Sequence, residues 1–185
     1  MTSTSFDTVR GRRILITGEV GSGKTTLMRK LLNEALEGGK EEITLIDMAP
    51  ERISTEYGSI GGRLLENPVT RVRQLTPSGI KAPRLTAKSP DELVLIADSN
   101  RAKIEKVLGI FNKAPTKVLF INDASMYLQR GELDTLIAAI SKAETVVVNA
   151  YLGERLKNDL GTGLSQRERE LVLSLGEKMN EVIRL

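Results

Sequence analysis

Short apolar runs alternate with longer amphipathic stretches along most of this chain. Residues 13–17, Arg-Ile-Leu-Ile-Thr between glycines, predict a buried strand. From Lys24 to Leu36 the side chains Leu27, Leu31 and Ala35 share one helical face, and Gly38-Gly39 marks the stop. Residues 43–47 predict a second strand, closed by Pro50. At Ser89-Pro90-Asp91-Glu92 another helix opens. Ser89 suits the N-cap, Pro90 the first helical position, and Glu92 completes a capping box. Its apolar pattern runs to about Phe111, before Asn112, Ala114 and Pro115. Residues 118–121, Val-Leu-Phe-Ile, form the most hydrophobic strand candidate. Leu133, Leu136, Ile137 and Ile140 then take helical spacing, and residues 145–149 predict a fourth strand. Ser165 and Glu168 repeat the capping-box signature at a last helix, and residues 182–185 predict a terminal strand.

Strands alternating with helices imply right-handed crossovers and a mostly parallel sheet. The expected fold is therefore α/β: a doubly wound, mostly parallel sheet of about five strands with flanking helices, in a single domain over residues 1–185. Residues 51–88 break the alternation and are too long for an ordinary connection. Within them, residues 70–75 and 80–85 flank Thr76-Pro77-Ser78-Gly79, which predicts a hairpin around a β-turn.

Composition narrows the chemistry. With no Cys and no His, a thiol nucleophile, a structural zinc site and a histidine base are excluded. No apolar run approaches the ~18 residues a membrane span needs. The N-terminal stretch MTSTSFDTVRGRR has no apolar core, so no secretory signal is expected, no membrane partner either, and a cytoplasmic location is. The net charge of +3 hides an imbalance. Residues 63–88 set Arg63, Arg71, Arg73, Lys81, Arg84 and Lys88 against Glu66 alone, an excess of +5 that leaves −2 elsewhere. This is one basic, lid-like segment on a mildly acidic body.

Gly18-Glu19-Val20-Gly21-Ser22-Gly23-Lys24-Thr25 fits G-x-x-x-x-G-K-[ST] at every fixed position, between a predicted strand and a predicted helix. Its glycines let backbone N–H groups turn inward as an anion nest, and the helix adds unpaired N–H groups at its positive end. In such a loop Lys24 reaches the β- and γ-phosphates and the Thr25 hydroxyl binds Mg²⁺.

On these residues the chain resembles the P-loop NTPase superfamily, whose Walker A motif this loop matches. The resemblance implies binding of a Mg²⁺–nucleoside triphosphate and phosphoryl transfer to water or a substrate. By position Thr26 would touch the α-phosphate region. Residues 118–123 look like a Walker B strand, with Asp123 emerging at its carboxyl edge as the second metal-side acid. Asp47, which also ends an apolar strand, is the rival and is expected to face the substrate or the attacking water.

The chain departs from several subfamilies. Asp123 is followed by Ala124 and Ser125, where ATPases of the AAA and RecA kind carry a water-activating Glu nearby. G proteins place D-x-x-G there, but position 126 is Met. Their guanine-reading N-K-x-D is replaced by Asn149-Ala150-Tyr151-Leu152, which favours ATP, with Asp159 of Lys157-Asn158-Asp159 the alternative guanine reader. The arginine-rich stretches resemble the phosphate-clamping lids of small-molecule kinases, with Arg52, Arg63, Arg71, Arg73, Arg167 and Arg169 as candidates.

The expected function is slow Mg²⁺-dependent ATP hydrolysis as a nucleotide switch, with a protein partner that stimulates turnover. A small-molecule or nucleotide kinase is the alternative, and a nucleotide-dependent binding module for nucleic acid or an acidic protein is another. Nucleic acid is disfavoured, because residues 63–88 hold no aromatic side chain for base stacking. The basic segment is expected to be mobile until a nucleotide or an anionic partner orders it.

Overall fold

A computed structural model describes residues 4–185, so the first three residues of the N-terminal stretch read above fall outside it. Six strands form the main sheet: β1 (Arg13–Gly18), β2 (Ile43–Asp47), β5 (Val72–Leu75), β6 (Val118–Asn122), β7 (Thr145–Tyr151) and β8 (Glu181–Arg184). Their spatial order is β5-β2-β6-β7-β1-β8 and every pairing is parallel. Because every crossover must return over a face, the central strands are buried on both sides and are centred on apolar runs, Ile14–Ile16, Val118–Ile121 and Val146–Val148.

Alternate residues of each strand feed two cores. Ile14, Ile16, Leu45, Phe120 and Val147 pack under α1 (Phe6–Val9) and α2 (Lys24–Gly38), which supplies Met28, Leu31, Leu32 and Ala35. Leu15, Ile46, Leu119, Ile121 and Val148 pack on the other face under three long elements. These are α4 (Pro90–Lys113), α6 (Leu133–Ile140) and α7 (Leu164–Glu177), joined by the short α5 (Ser125–Leu128). Each buried aliphatic side chain contributes about 1.5–3 kcal/mol against solvent exposure, so these two layers hold the helices on the sheet.

The doubly wound fold agrees with the expectation, but residues 51–88 do not. Val72–Leu75 is a parallel edge strand registered on β2, from Ile43↔Val72 to Ile46↔Leu75, and not half of a hairpin. Residues 80–85 contain no strand; Pro83–Thr86 is a single helical turn, α3. The antiparallel hairpin lies earlier, pairing β3 (Ile53–Thr55) with β4 (Gly58–Ile60). The segment's charge has fixed partners. Arg71 donates to the carbonyls of Leu36 in the last turn of α2 and of its C-cap Gly39, and Arg73 donates to Ala114 O at the end of α4, 2.6 Å away. Cations are favourable there, where helix carbonyls lack partners. Both arginines sit at the amino edge of the sheet, by the starts of β2 and β6, away from the glycine-rich loop.

Ser89 caps α4 as read, accepting from Glu92 N at 3.2 Å, but Glu92 reaches one residue further back than a capping box requires, its Oε2 accepting from Lys88 N at 2.7 Å. Ser165 does not cap α7. The N-cap is Gly163 in the left-handed conformation, and Asp159 Oδ2 accepts from Ser165 N at 2.9 Å.

Candidate functional site

Strand β1 stops at Gly18 and α2 begins at Lys24, so a five-residue turn joins the central sheet to a helix N-terminus. Gly21 (φ 75°) and Gly23 (φ 98°) take left-handed conformations that cost an L-residue about 1–2 kcal/mol. A Cβ on Gly18 would run into the Leu185 carbonyl oxygen and Ser22 Oγ, so only glycine lets β8 end this close. Ser22 Oγ is buried and has no hydrogen-bond partner among the described residues. Lys24 Nζ donates to the carbonyls of Gly18 (2.9 Å) and Glu19 (2.6 Å). Burial lowers its pKa, against the opposing pull of Asp123 and Glu19. Thr25 and Thr26 are exposed on the first turn of α2.

Asp123 does not lie on the strand next to the loop. Strand β7 separates β1 from β6, and its Asn149 fills the intervening place. Asp123 has φ 58°, a left-handed conformation, and its N–H donates to Asn149 Oδ1 at 2.5 Å. Ser125 Oγ donates to its carboxylate at 2.6 Å. Burial raises the Asp123 pKa, while Ser125 and Lys24 pull it down. Lys24 and Asp123 are thus mutually within electrostatic reach.

Asp47 occupies different surroundings. It is 2% exposed, and its Oδ2 accepts from Leu64 N at 2.7 Å. Its Oδ1 accepts from Asn122 Nδ2 (2.8 Å) and Ala49 N (3.2 Å). Burial raises its pKa and these donors oppose the rise. A carboxylate wrapped in three protein donors anchors the chain at Leu64; it does not face the cleft as the sequence reading expected.

Around the loop lies a cleft of about 280 Å³, lined by residues 20–26, the base of the hairpin at residues 59–62, and Asn122, Asp123, Asn149 and Tyr151. Glu19 braces its other rim. Its carboxylate accepts from the N–H groups of Val20 (2.7 Å), Glu154 (2.8 Å) and Arg155 (3.1 Å). Burial would raise the Glu19 pKa, but these N–H groups outweigh it and the net direction is down. Burial pushes the Tyr151 phenol up to about 12, although its oxygen accepts from Leu156 N at 2.9 Å. Arg155 links the rims: its guanidinium lies 5.5 Å from the Tyr57 ring at the hairpin tip, and its Nη1 approaches Val20 O at 3.4 Å.

Behind the cleft, Arg84 and Glu168 form an ion pair at 2.9 Å with side chains 8% and 2% exposed. Gln129 Nε2 also donates to Glu168, at 2.8 Å. Sequence reasoning missed this pair, although Glu168 interrupts the apolar stripe of Leu164, Val172 and Leu175 on α7. It also missed Asn149 and Tyr151 as cleft residues. The candidate phosphate-clamping arginines mostly bind elsewhere: besides Arg71 and Arg73, Arg167 donates to Gly131 O (2.8 Å) and Arg169 pairs with Glu154 (3.4 Å). Arg52 pairs loosely with Glu66, and Arg63 is exposed beside Gly62. Asp159, the alternative guanine reader, spends its carboxylate on Gly161 N and Ser165 N.

No group of three or more Asp, Glu, His or Cys that could cage a metal occurs among the described residues. The donor set at the cleft, one hydroxyl at Thr25 and one carboxylate at Asp123, fits a hard cation that keeps waters and shares phosphate oxygens with its ligand. Among the described residues no helix is long and apolar enough to cross a membrane.

No family model matches the chain, and no curated protein does. Among solved structures it is similar, at 15% identity and a TM-score of 0.40, to an ATPase from the type III secretion system of pathogenic bacteria. That likeness covers 87% of this chain but 49% of the other, so this chain spans about half its length. A protein of Pyrococcus horikoshii OT3 is similar at 10% identity and a TM-score of 0.38, over 91% of this chain and 84% of that one. At this distance the site is read from its own geometry.

Proposed function

We propose that the protein binds a Mg²⁺–nucleoside triphosphate in this cleft, ATP in preference to GTP, and hydrolyses it slowly as a nucleotide switch. One observation carries the reading: a glycine turn, a helix N-terminus, a half-buried lysine and a half-buried aspartate converge on the same cleft. The unpaired N–H groups of the turn and of the first turn of α2 would take phosphate oxygens. Lys24 would exchange the Gly18 and Glu19 carbonyls for the β- and γ-phosphates. Thr25 and Asp123 would hold Mg²⁺, which spreads the charge of the phosphate oxygens when bound.

Slow turnover follows from what stands beside Asp123. Ala124 is a buried methyl, and the Ser125 hydroxyl is committed to Asp123. Neither can activate water. The preference for ATP follows from β7, where Asn149 and Ala150 are buried in the strand and offer no carboxylate to a guanine edge.

Calorimetric titration with ATP and GTP, with and without Mg²⁺, tests the reading. Losing the Lys24 contacts costs about 1.5–3 kcal/mol, so Lys24→Ala should weaken ATP binding roughly ten- to a hundredfold. Unchanged affinity in that variant would overturn the phosphate site, and a clear GTP preference would overturn the base assignment.

A further inference from the structure

Three polar side chains close the apolar layer under α2 at the carboxyl edge of the sheet. Asp47 on β2 is registered with Asn122 on β6, and Asn149 on β7 continues the same row after the pair Ile121↔Val148. All three are buried beyond Leu45, Phe120 and Val147. Their hydrogen bonds run in one direction. Asn149 Nδ2 donates to Asn122 Oδ1 at 2.9 Å, and Asn122 Nδ2 donates to Asp47 Oδ1 at 2.8 Å.

The row has a working end on each side of the cleft. At one end Asn149 Oδ1 accepts the N–H of Asp123, which sits at φ 58°. Such a backbone conformation is unfavourable for a residue with a side chain and persists only where its surroundings hold it. At the other end Asp47 Oδ2 accepts the N–H of Leu64, which follows directly on Gly61-Gly62 and Arg63 at the hairpin base. Apolar residues of the same shape would pack such positions without the desolvation cost of three buried polar groups. Packing alone therefore does not account for the row.

We infer that Asn149 and Asn122 are positioning residues that hold Asp123 at its place in the cleft and tie it to the opposite wall at Leu64. In its kinetic arm this inference rests on the nucleotide reading above. A side-chain amide suits the task because it accepts and donates at once, so each strand passes the constraint to the next. An Ala at either position breaks the chain at a known link.

Two measurements on Asn149→Ala and Asn122→Ala test it, with Thr116→Val as a control that removes the Thr116–Thr44 hydrogen bond near the starts of β6 and β2. The milder Asn149→Ser serves if the alanine variant does not fold. The first measurement needs no nucleotide. Amide exchange at Leu64 should quicken about tenfold in Asn122→Ala, and at Asp123 about tenfold in Asn149→Ala, the size of one hydrogen bond. Thr116→Val should move neither. The second is steady-state hydrolysis with ATP titration: kcat should fall about tenfold or more in the asparagine variants and the Mg²⁺ enhancement of ATP binding should shrink with it, while the Kd for ATP without Mg²⁺ holds within about threefold. Exchange at Leu64 and Asp123 that ignores both substitutions would overturn the row. Parallel loss of kcat and affinity, matched by Thr116→Val at equal loss of stability, would reduce it to a structural role. If the wild-type protein neither binds nor hydrolyses ATP, the nucleotide reading fails and the exchange result alone decides the inference.

Discussion

Asp47 and Asp123 both follow apolar strands, and what separates them is which donors reach each carboxylate. Asp47 accepts from three protein groups; Asp123 accepts from Ser125 and opens on the cleft. An asparagine at position 47 offers one acceptor oxygen where three donors converge. Asp47→Asn should therefore lower stability by about 1–3 kcal/mol, reduced by whatever the lost buried charge had cost. Its Mg²⁺–ATP affinity should stay near wild type. Asp123→Asn should do the reverse, removing the Mg²⁺ dependence of binding and abolishing turnover with little change in the denaturation midpoint. Chemical denaturation and titration across Mg²⁺ concentrations on both variants decide it, and a reversed pattern would exchange the two assignments. The glycine-rich loop was legible in the sequence because spacing alone specifies it: Gly21, Gly23 and Lys24 act through their own backbone and one side chain. The fate of Asp47 was not legible, because its donors arrive from distant places: Leu64 in the loop after the hairpin, and Asn122 opposite it in the sheet register.

Between elements, α3 is held to α7 by Arg84 and Glu168, and the two partners are not equivalent. Burial raises the Glu168 pKa above the ordinary glutamate range, against the pull of Arg84 and Gln129. Glutamate can escape a lost partner by taking a proton, whereas a buried guanidinium cannot shed one. Glu168→Gln should therefore cost about 3–5 kcal/mol, and Arg84→Met less. The pH dependence has a definite sign. A folded-state pKa above the unfolded value gives stability that is present below the unfolded pKa, roughly 4.3, and is lost as pH rises through the folded one. Without Arg84 that upward shift grows, so Arg84→Met should be less impaired at pH 5 than at pH 7.5 in guanidinium titrations. Equal impairment at both would mean that Glu168 stays ionised without its partner. The same glutamate shows where element-level reading stops. Ser89 and Glu92 form an N-terminal cap because every atom involved is local. Ser165 and Glu168 carry the same spacing, yet Glu168 lies on the buried stripe of α7 and is drawn inward to Arg84. Edge strand β5 was read as one arm of a hairpin for a related reason: its parallel partner β2 and the helix-end carbonyls that receive Arg71 and Arg73 all lie far away in sequence.

Across the whole molecule, the parallel sheet was legible from alternation, while residues 51–88 divide into parts with different freedom. Charge repulsion would keep the entire segment mobile, but Arg71, Arg73 and Arg84 are each tied to a separate element. Residues 72–75 are paired into the six-stranded sheet, and Pro83–Thr86 is locked to α7. The hairpin of β3 and β4 differs. It forms its own two-stranded sheet, is largely exposed, and reaches the rest of the cleft through Tyr57 against Arg155. Gly61 and Gly62, at φ 80° and 91°, form its return, with Gly62 N donating to Pro50 O at 2.8 Å. A two-stranded ribbon with no buried face is marginal on its own, so its order depends on what fills the cleft beneath it. Saturating Mg²⁺ and a non-hydrolysable ATP analogue should therefore slow amide exchange across residues 51–64, while residues 72–75 and 83–86 stay as protected as before. Lys24→Ala at the same analogue concentration should restore the unliganded pattern in the hairpin. Protection gained evenly over residues 51–88 would mean that the basic segment closes as one lid. No gain at residues 51–64 under saturating, calorimetrically verified binding would make the hairpin a fixed wall, leaving access to the cleft to the loop of residues 153–157 on the opposite rim.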